Sequence, residues 1–170
     1  MKTLILCAAN VCRSPAAEAL WRVVATERGL RDPVASAGLQ ARPGQARSSQ
    51  MLRLLAAAGL APPEQGASPF IRSVACRHEL ILVMEPAQQR QVLALAPELT
   101  GRVHLLGRWG QGPIADPTGG PVEGYAACLE QLSSAVESWV ERLVAPTRRA
   151  PATRVAEPVR ASRAVVPVHA

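Results

Sequence analysis

Aromatic side chains are scarce, at 3% of 170 residues, so any core this chain builds must be aliphatic. Long apolar runs are missing too. No stretch approaches the roughly 20 residues a membrane-spanning helix needs, and membrane insertion is not expected. The four cysteines, at positions 7, 12, 76 and 128, are too scattered for a disulfide framework in a chain without a secretion signal. They do not suit a zinc site either, because Cys7 and Cys12 form the one close pair and bracket a different motif. No metal and no cofactor is expected. The apolar start Leu4-Ile5-Leu6 is too short for a secretory leader, and Arg13 follows at once. Bulky Leu6 stands before Cys7, where a lipoprotein cleavage box would need a small residue. A reducing cytoplasm is the expected setting.

The formal net charge of +6 and pI near 10.1 raise the question of nucleic acid. Much of that excess lies at the end, where Arg148, Arg149, Arg154, Arg160 and Arg163 face a single acid, Glu157. The rest is close to balanced and has no aromatics interleaved among its basic residues, so nucleic acid is not an expected partner. The length suits one core. One domain is expected over residues 1–145, and residues 146–170, rich in Arg, Pro and Ala without period, read as a disordered tail.

Within that domain, strand-like and helix-like stretches alternate. Thr3–Leu6 is a short buried strand, and Ala16–Trp21 opens an apolar-periodic helix that Gly29 ends. Pro33–Ala37 reads as a second strand with Gly38 as its exit. Ser48 or Ser49 caps a helix running to Gly59, and a helical turn is expected near Phe70–Cys76. Leu80–Met84 is continuous and apolar, as in a parallel strand covered on both faces. Pro86 opens a further helix, Val103–Leu106 is a fourth strand, and Gly110–Gly120 is a loop. Glu123–Val144 places Leu129, Leu132, Val136 and Val140 on one stripe of a long helix. The pattern predicts an α/β fold in three layers, a parallel sheet with helices on both faces.

The chemistry concentrates in Cys7-Ala8-Ala9-Asn10-Val11-Cys12-Arg13-Ser14-Pro15. Ser14 is expected as the helix N-cap and Pro15 as its first residue. The loop would then lie at a helix N-terminus, where free amides and the helix dipole favour an anion. Cys7 supplies a thiol and Arg13 a fixed cation. Such surroundings favour the thiolate form of a cysteine, the form that attacks. Residues Ala8, Ala9, Asn10, Val11, Cys12, Arg13 and Ser14 together form the expected phosphate cradle, with Arg13 gripping two oxygens.

Cys-x-x-x-x-x-Arg-Ser-Pro this close to the start resembles the signature loop of the low-molecular-weight protein tyrosine phosphatases. Asp116-Pro117 resembles that family's acid loop, and Ser36-Ala37-Gly38, Leu80–Glu85 and Leu106-Gly107-Arg108-Trp109 resemble further landmarks. The resemblance implies a four-stranded sheet in order 2-1-3-4. It implies hydrolysis of protein phosphotyrosine by Cys7 through a phosphocysteine, with Arg13 holding the phosphoryl group and Asp116 as general acid. It also implies a network of Asn10 with Ser14 and Ser36. The likeness is nearest to bacterial members that act on autophosphorylated tyrosine kinases of exopolysaccharide synthesis. Cys12 either fills space behind the loop or pairs reversibly with Cys7.

Some positions depart from the family pattern. Ala9 stands where glycine is usual, and Thr118-Gly119-Gly120 replaces an aromatic after Asp116-Pro117, leaving Leu39 or Trp109 to contact a substrate ring. Gln65 and Ser68 replace a histidine and an arginine. Two relatives offer alternatives. A phosphoarginine phosphatase shares the Asp-Pro-x-Gly-Gly pattern but carries threonine where this chain has Val11. An arsenate reductase of the same fold needs two further cysteines in close succession, and Cys76 has no near neighbour.

Overall fold

β1 (Thr3–Cys7) is buried from end to end, the condition of a strand covered on both faces. In the computed structural model, which describes residues 1–145, it lies at the centre of a four-stranded parallel sheet in the order β2-β1-β3-β4. The expected tail, residues 146–170, lies outside the described residues. β2 (Val34–Gly38) pairs with β1 from Thr3↔Val34 to Cys7↔Gly38. β3 (Leu80–Val83) flanks β1 on the other side, and β4 (Val103–Leu105) pairs with β3.

The period-2 alternation of strand side chains divides the core into two. Ile5 and Leu82 face the layer of α1 (Arg13–Glu27), α2 (Ser49–Ala57) and α5 (Val122–Val144). There they meet Leu132, Val136 and Val140, three members of the stripe expected on the long helix. Leu4, Leu6, Ile81 and Val83 face the opposite layer of α3 (Arg72–Ala75) and α4 (Pro86–Leu95), meeting Val92, Leu99 and Val103. In the first layer, Trp139 donates its indole N–H to the Leu106 carbonyl at 2.8 Å.

Helix ends follow local chemistry. Gly29 and Gly59 take φ of +79° and +70° just beyond α1 and α2, a conformation open to glycine at little steric cost. Ser48 caps α2 by accepting from the Met51 amide. All strands run the same way, so their carboxyl ends gather Cys7, Gly38, the residues after Val83 and the chain leaving β4 along one edge. Open α/β sheets bind ligands at that edge.

Candidate active site

Cys7 ends β1 and Arg13 begins α1, leaving a five-residue loop between them. The helix start differs from the sequence expectation. Cys12, not Ser14, holds the cap position and makes no side-chain capping bond. The Ser14 hydroxyl is turned into the loop instead, 3.0 Å from Cys7 Sγ and 3.3 Å from the Ala37 carbonyl, while accepting from Asn10 Nδ2 at 2.8 Å. Ser14 is fully buried, and a hydroxyl with several internal partners gains little by switching to a helix amide. Pro15 falls at the third helical position, where its missing N–H still loses no intrahelical bond. The amides of Val11, Cys12, Arg13 and Ser14 make no backbone hydrogen bond among the described residues. They are the free donors of a helix N-terminus.

Asn10 shapes the loop. It is fully buried and left-handed, with φ of +55°, a region that asparagine tolerates better than most residues. That turn aims its own N–H at Cys7 Sγ, 3.2 Å away. Its side-chain amide donates to Ser14 and, at 2.9 Å, to Ser36, and its Oδ1 accepts from the Ser68 amide at 2.8 Å. Beneath the loop, Gly38 leaves no room for a side chain. A Cβ there would lie 2.7 Å from Ala8 O, Ala9 C and Asn10 N.

Arg13 is almost wholly buried and arrives with its partners set. Nη1 donates to Glu85 and, at 2.9 Å, to the Ile114 carbonyl; Nη2 donates to Asp116 Oδ2 at 2.6 Å. Nε makes no hydrogen bond among the described residues, so the Nε–Nη2 edge is the part of the fork that could take two oxygens of a phosphate. Burial works against the guanidinium's charge, but Glu85, Asp116 and Cys7 outweigh it and raise its pKa. Asp116 shows the mirror image. Burial pushes its carboxyl up, yet the Thr118 hydroxyl and amide and the Arg13 charge together hold it below the usual carboxylate range.

The expected residues therefore gather at one edge of the sheet: Cys7, the loop from Ala8 to Ser14, and Asp116 from a segment more than a hundred positions away. Cys12 and Cys128 are buried free thiols, raised to about 12 and about 11 respectively, in both cases chiefly by burial. Trp109 has partners of its own. It packs edge-on against Trp139 at 5.6 Å, with the Arg108 and Arg142 guanidiniums 4.9 and 4.2 Å from its ring centroid. Leu39 remains beside the loop, its backbone N–H donating to the Cys7 carbonyl at 3.0 Å. Sequence reasoning missed Glu85 as a partner of Arg13 and missed Arg47 altogether. For Glu85 a signal existed, since it follows β3 at the edge where sites form. Arg47 carried none.

The sequence matches the family model of low molecular weight phosphotyrosine protein phosphatases over residues 2–149. A probable low molecular weight protein-tyrosine-phosphatase, EpsP of Ralstonia nicotianae, is 34% identical over 140 residues, covering 82% of this chain and 94% of that one. The tyrosine phosphatase Wzb from Escherichia coli K30, solved with sulphate, superposes with a TM-score of 0.77 at 29% identity, covering 84% and 97% of the two chains. The YwlE arginine phosphatase with a phosphorylated active-site serine gives a TM-score of 0.81 at 24% identity over 87% and 99%, a likeness of fold.

Proposed function

The chain belongs to the low molecular weight phosphotyrosine protein phosphatase family, and on that premise we propose that it hydrolyses protein phosphotyrosine through a phosphocysteine at Cys7. One observation carries the proposal: Asp116, remote in sequence, meets the guanidinium of the Cys7 loop at 2.6 Å. In the first step the Cys7 thiolate attacks phosphorus, the P–O bond to the tyrosyl ring breaks, and Asp116 gives its proton to the departing oxygen. Tyrosinate, with a pKa of about 10, leaves poorly unaided, and a positioned acid contributes roughly 100- to 10,000-fold. Arg13 and the free amides follow the charge as it spreads over the equatorial oxygens. In the second step Asp116 takes a proton from water, the water oxygen attacks phosphorus, and the P–S bond breaks to release phosphate. The Ser14 hydroxyl, 3.0 Å from the sulfur, is placed to stabilise the leaving thiolate.

The substrate we infer is a phosphotyrosine protein, specifically an autophosphorylated tyrosine kinase of exopolysaccharide synthesis, in a cytoplasmic setting. The likeness of Met84-Glu85 and Ala96–Val103 to that branch of the family supports it. The test is steady-state hydrolysis of an aryl phosphate, in the presence of a chelator, by wild type, Cys7→Ser and Asp116→Ala. Wild type turns over, Cys7→Ser does not, and rapid quenching of wild type leaves a phosphoryl group on the Cys7 peptide. Unchanged turnover in Cys7→Ser would overturn the mechanism.

A further inference from the structure

Arg47 belongs to none of the sequence motifs. It sits in the loop before α2, yet its side chain reaches the centre of the phosphate cradle. Nη1 donates to the main-chain carbonyl of Asn10 and, at 3.0 Å, to Asn10 Oδ1. Nη2 donates to the carbonyls of Gln65 at 2.6 Å and Gly66 at 3.2 Å. A single planar fork thus joins the cradle to the 65–68 segment, where Gln65 and Ser68 stand in place of the family's usual histidine and arginine.

Asn10 is the point on which this fork acts. A left-handed non-glycine residue is held against a conformational cost of order 1 kcal/mol or more, so its neighbours must fix it. Its side-chain amide is saturated: Oδ1 accepts from Arg47 and the Ser68 amide, and Nδ2 donates to Ser14 and Ser36. From that residue two contacts run to the nucleophile, the Asn10 N–H directly and the Ser14 hydroxyl at one remove. The Arg47 guanidinium also lies close enough for the charges of Glu18 and Cys7 to act on it, although burial is the larger influence on its charge. Lysine could not copy the arrangement, because one ammonium cannot span four carbonyl oxygens in a plane.

We infer that Arg47 is a positioning residue of the phosphatase, its fork fixing left-handed Asn10 and through it the contacts that aim Cys7 and shape the anion site. The inference rests on the function proposed above, and its test separates the two. Arg47→Ala and Arg47→Lys are compared with wild type in three ways: aryl phosphate kinetics, the inhibition constant of inorganic phosphate, and the ratio of Cys7 alkylation rates by iodoacetate and iodoacetamide. Both reagents report thiolate fraction and access, so their ratio isolates the attraction of the cradle for an anion. Arg47→Ala is expected to raise KM and the phosphate inhibition constant by about tenfold or more, with a smaller fall in kcat, and to lower the alkylation ratio. Arg47→Lys is expected to recover melting temperature without recovering the ratio. Arg47 also borders a cavity of about 780 Å³ between α1, β2 and the 61–71 segment. Millimolar guanidinium entering there is expected to restore part of the phosphate affinity of Arg47→Ala. A variant that melts earlier but keeps the wild-type inhibition constant and alkylation ratio would reduce Arg47 to a structural tie and sink the inference. Should wild type leave aryl phosphates intact, the phosphatase reading falls, and the alkylation ratio with its phosphate protection still judges Arg47.

Discussion

Asp116 Oδ2 and Arg13 Nη2 sit 2.6 Å apart across 103 positions of sequence. The acid and the phosphate clamp of the proposed reaction are therefore paired to each other before substrate arrives. The pairing has a direction in pH. With its pKa held below the carboxylate range, Asp116 is an anion at neutral pH in the free protein. A phosphate dianion that takes Arg13 removes part of that depression, so the proton needed for the leaving group becomes easier to hold. Turnover by wild type is expected to fall as pH rises through the Asp116 pKa of the bound state. Asp116→Ala is expected to lack that limb and to lose roughly 100- to 10,000-fold on a tyrosine-like leaving group, less on a more acidic phenol. A pH–rate series on both proteins checks this. Persistence of the limb in Asp116→Ala would assign it to another group.

Gly38→Ala tests the floor of the cradle. The added methyl meets main-chain atoms at 2.7 Å, so the loop itself must shift. A loss of about 1–3 kcal/mol in urea unfolding is expected, together with a fall in activity. Wild-type kcat/KM in this variant would mean that the loop tolerates displacement.

The thiols should separate cleanly under alkylation. Cys7, Cys12 and Cys128 are all buried, so burial does not rank them. Cys12 and Cys128, raised to about 12 and about 11, remain protonated at neutral pH, whereas the Cys7 sulfur receives the Asn10 N–H in the loop at the sheet edge. Cys76 is half-buried and raised too, chiefly by its hydrogen bond to Glu98. Iodoacetamide at neutral pH is expected to label Cys7 first and Cys76 later, and to reach Cys12 and Cys128 on unfolding. Peptide mass spectrometry reads the order, and inorganic phosphate should slow the first event alone.

Val11 is expected to weigh on the choice between phosphotyrosine and phosphoarginine. An apolar branched side chain at that place offers no hydroxyl to a guanidino leaving group, so phosphotyrosine peptides are expected to be the better substrates. Paired kcat/KM values on phosphotyrosine and phosphoarginine peptides decide it. Val11→Thr is expected to narrow the gap.

Much of this was readable from local pattern. Continuous apolar runs located β1 and β3, and glycines marked the ends of α1 and α2, because burial and positive φ leave direct traces in residue type. Ser14 misled because a serine before a helical run is a good cap by local rules. Three-dimensional neighbours, Asn10 and Cys7, offered it better partners. Arg47 and the Arg13–Glu85 pair were hidden for a related reason. A long side chain that reaches across the fold leaves no periodicity, and its partners, carbonyls of Asn10, Gln65 and Gly66, belong to the backbone that every sequence shares. Trp109 reads as available for a ring contact in the sequence, but two arginines lie over its ring and Trp139 packs edge-on against it.

The segment bearing Asp116 is fastened on either side. Ile114, fully buried, binds the Met84 carbonyl through its amide and receives Arg13 on its own carbonyl, and the Gly119 amide donates to the Tyr125 hydroxyl in the first turns of α5. A carboxyl mounted between two such anchors has little room to swing, unlike a catalytic flap that must shut over each substrate. For the proposed reaction the expectation is that chemistry at phosphorus, not movement of this segment, limits turnover, so thickening the solvent with glycerol should leave the rate nearly unchanged.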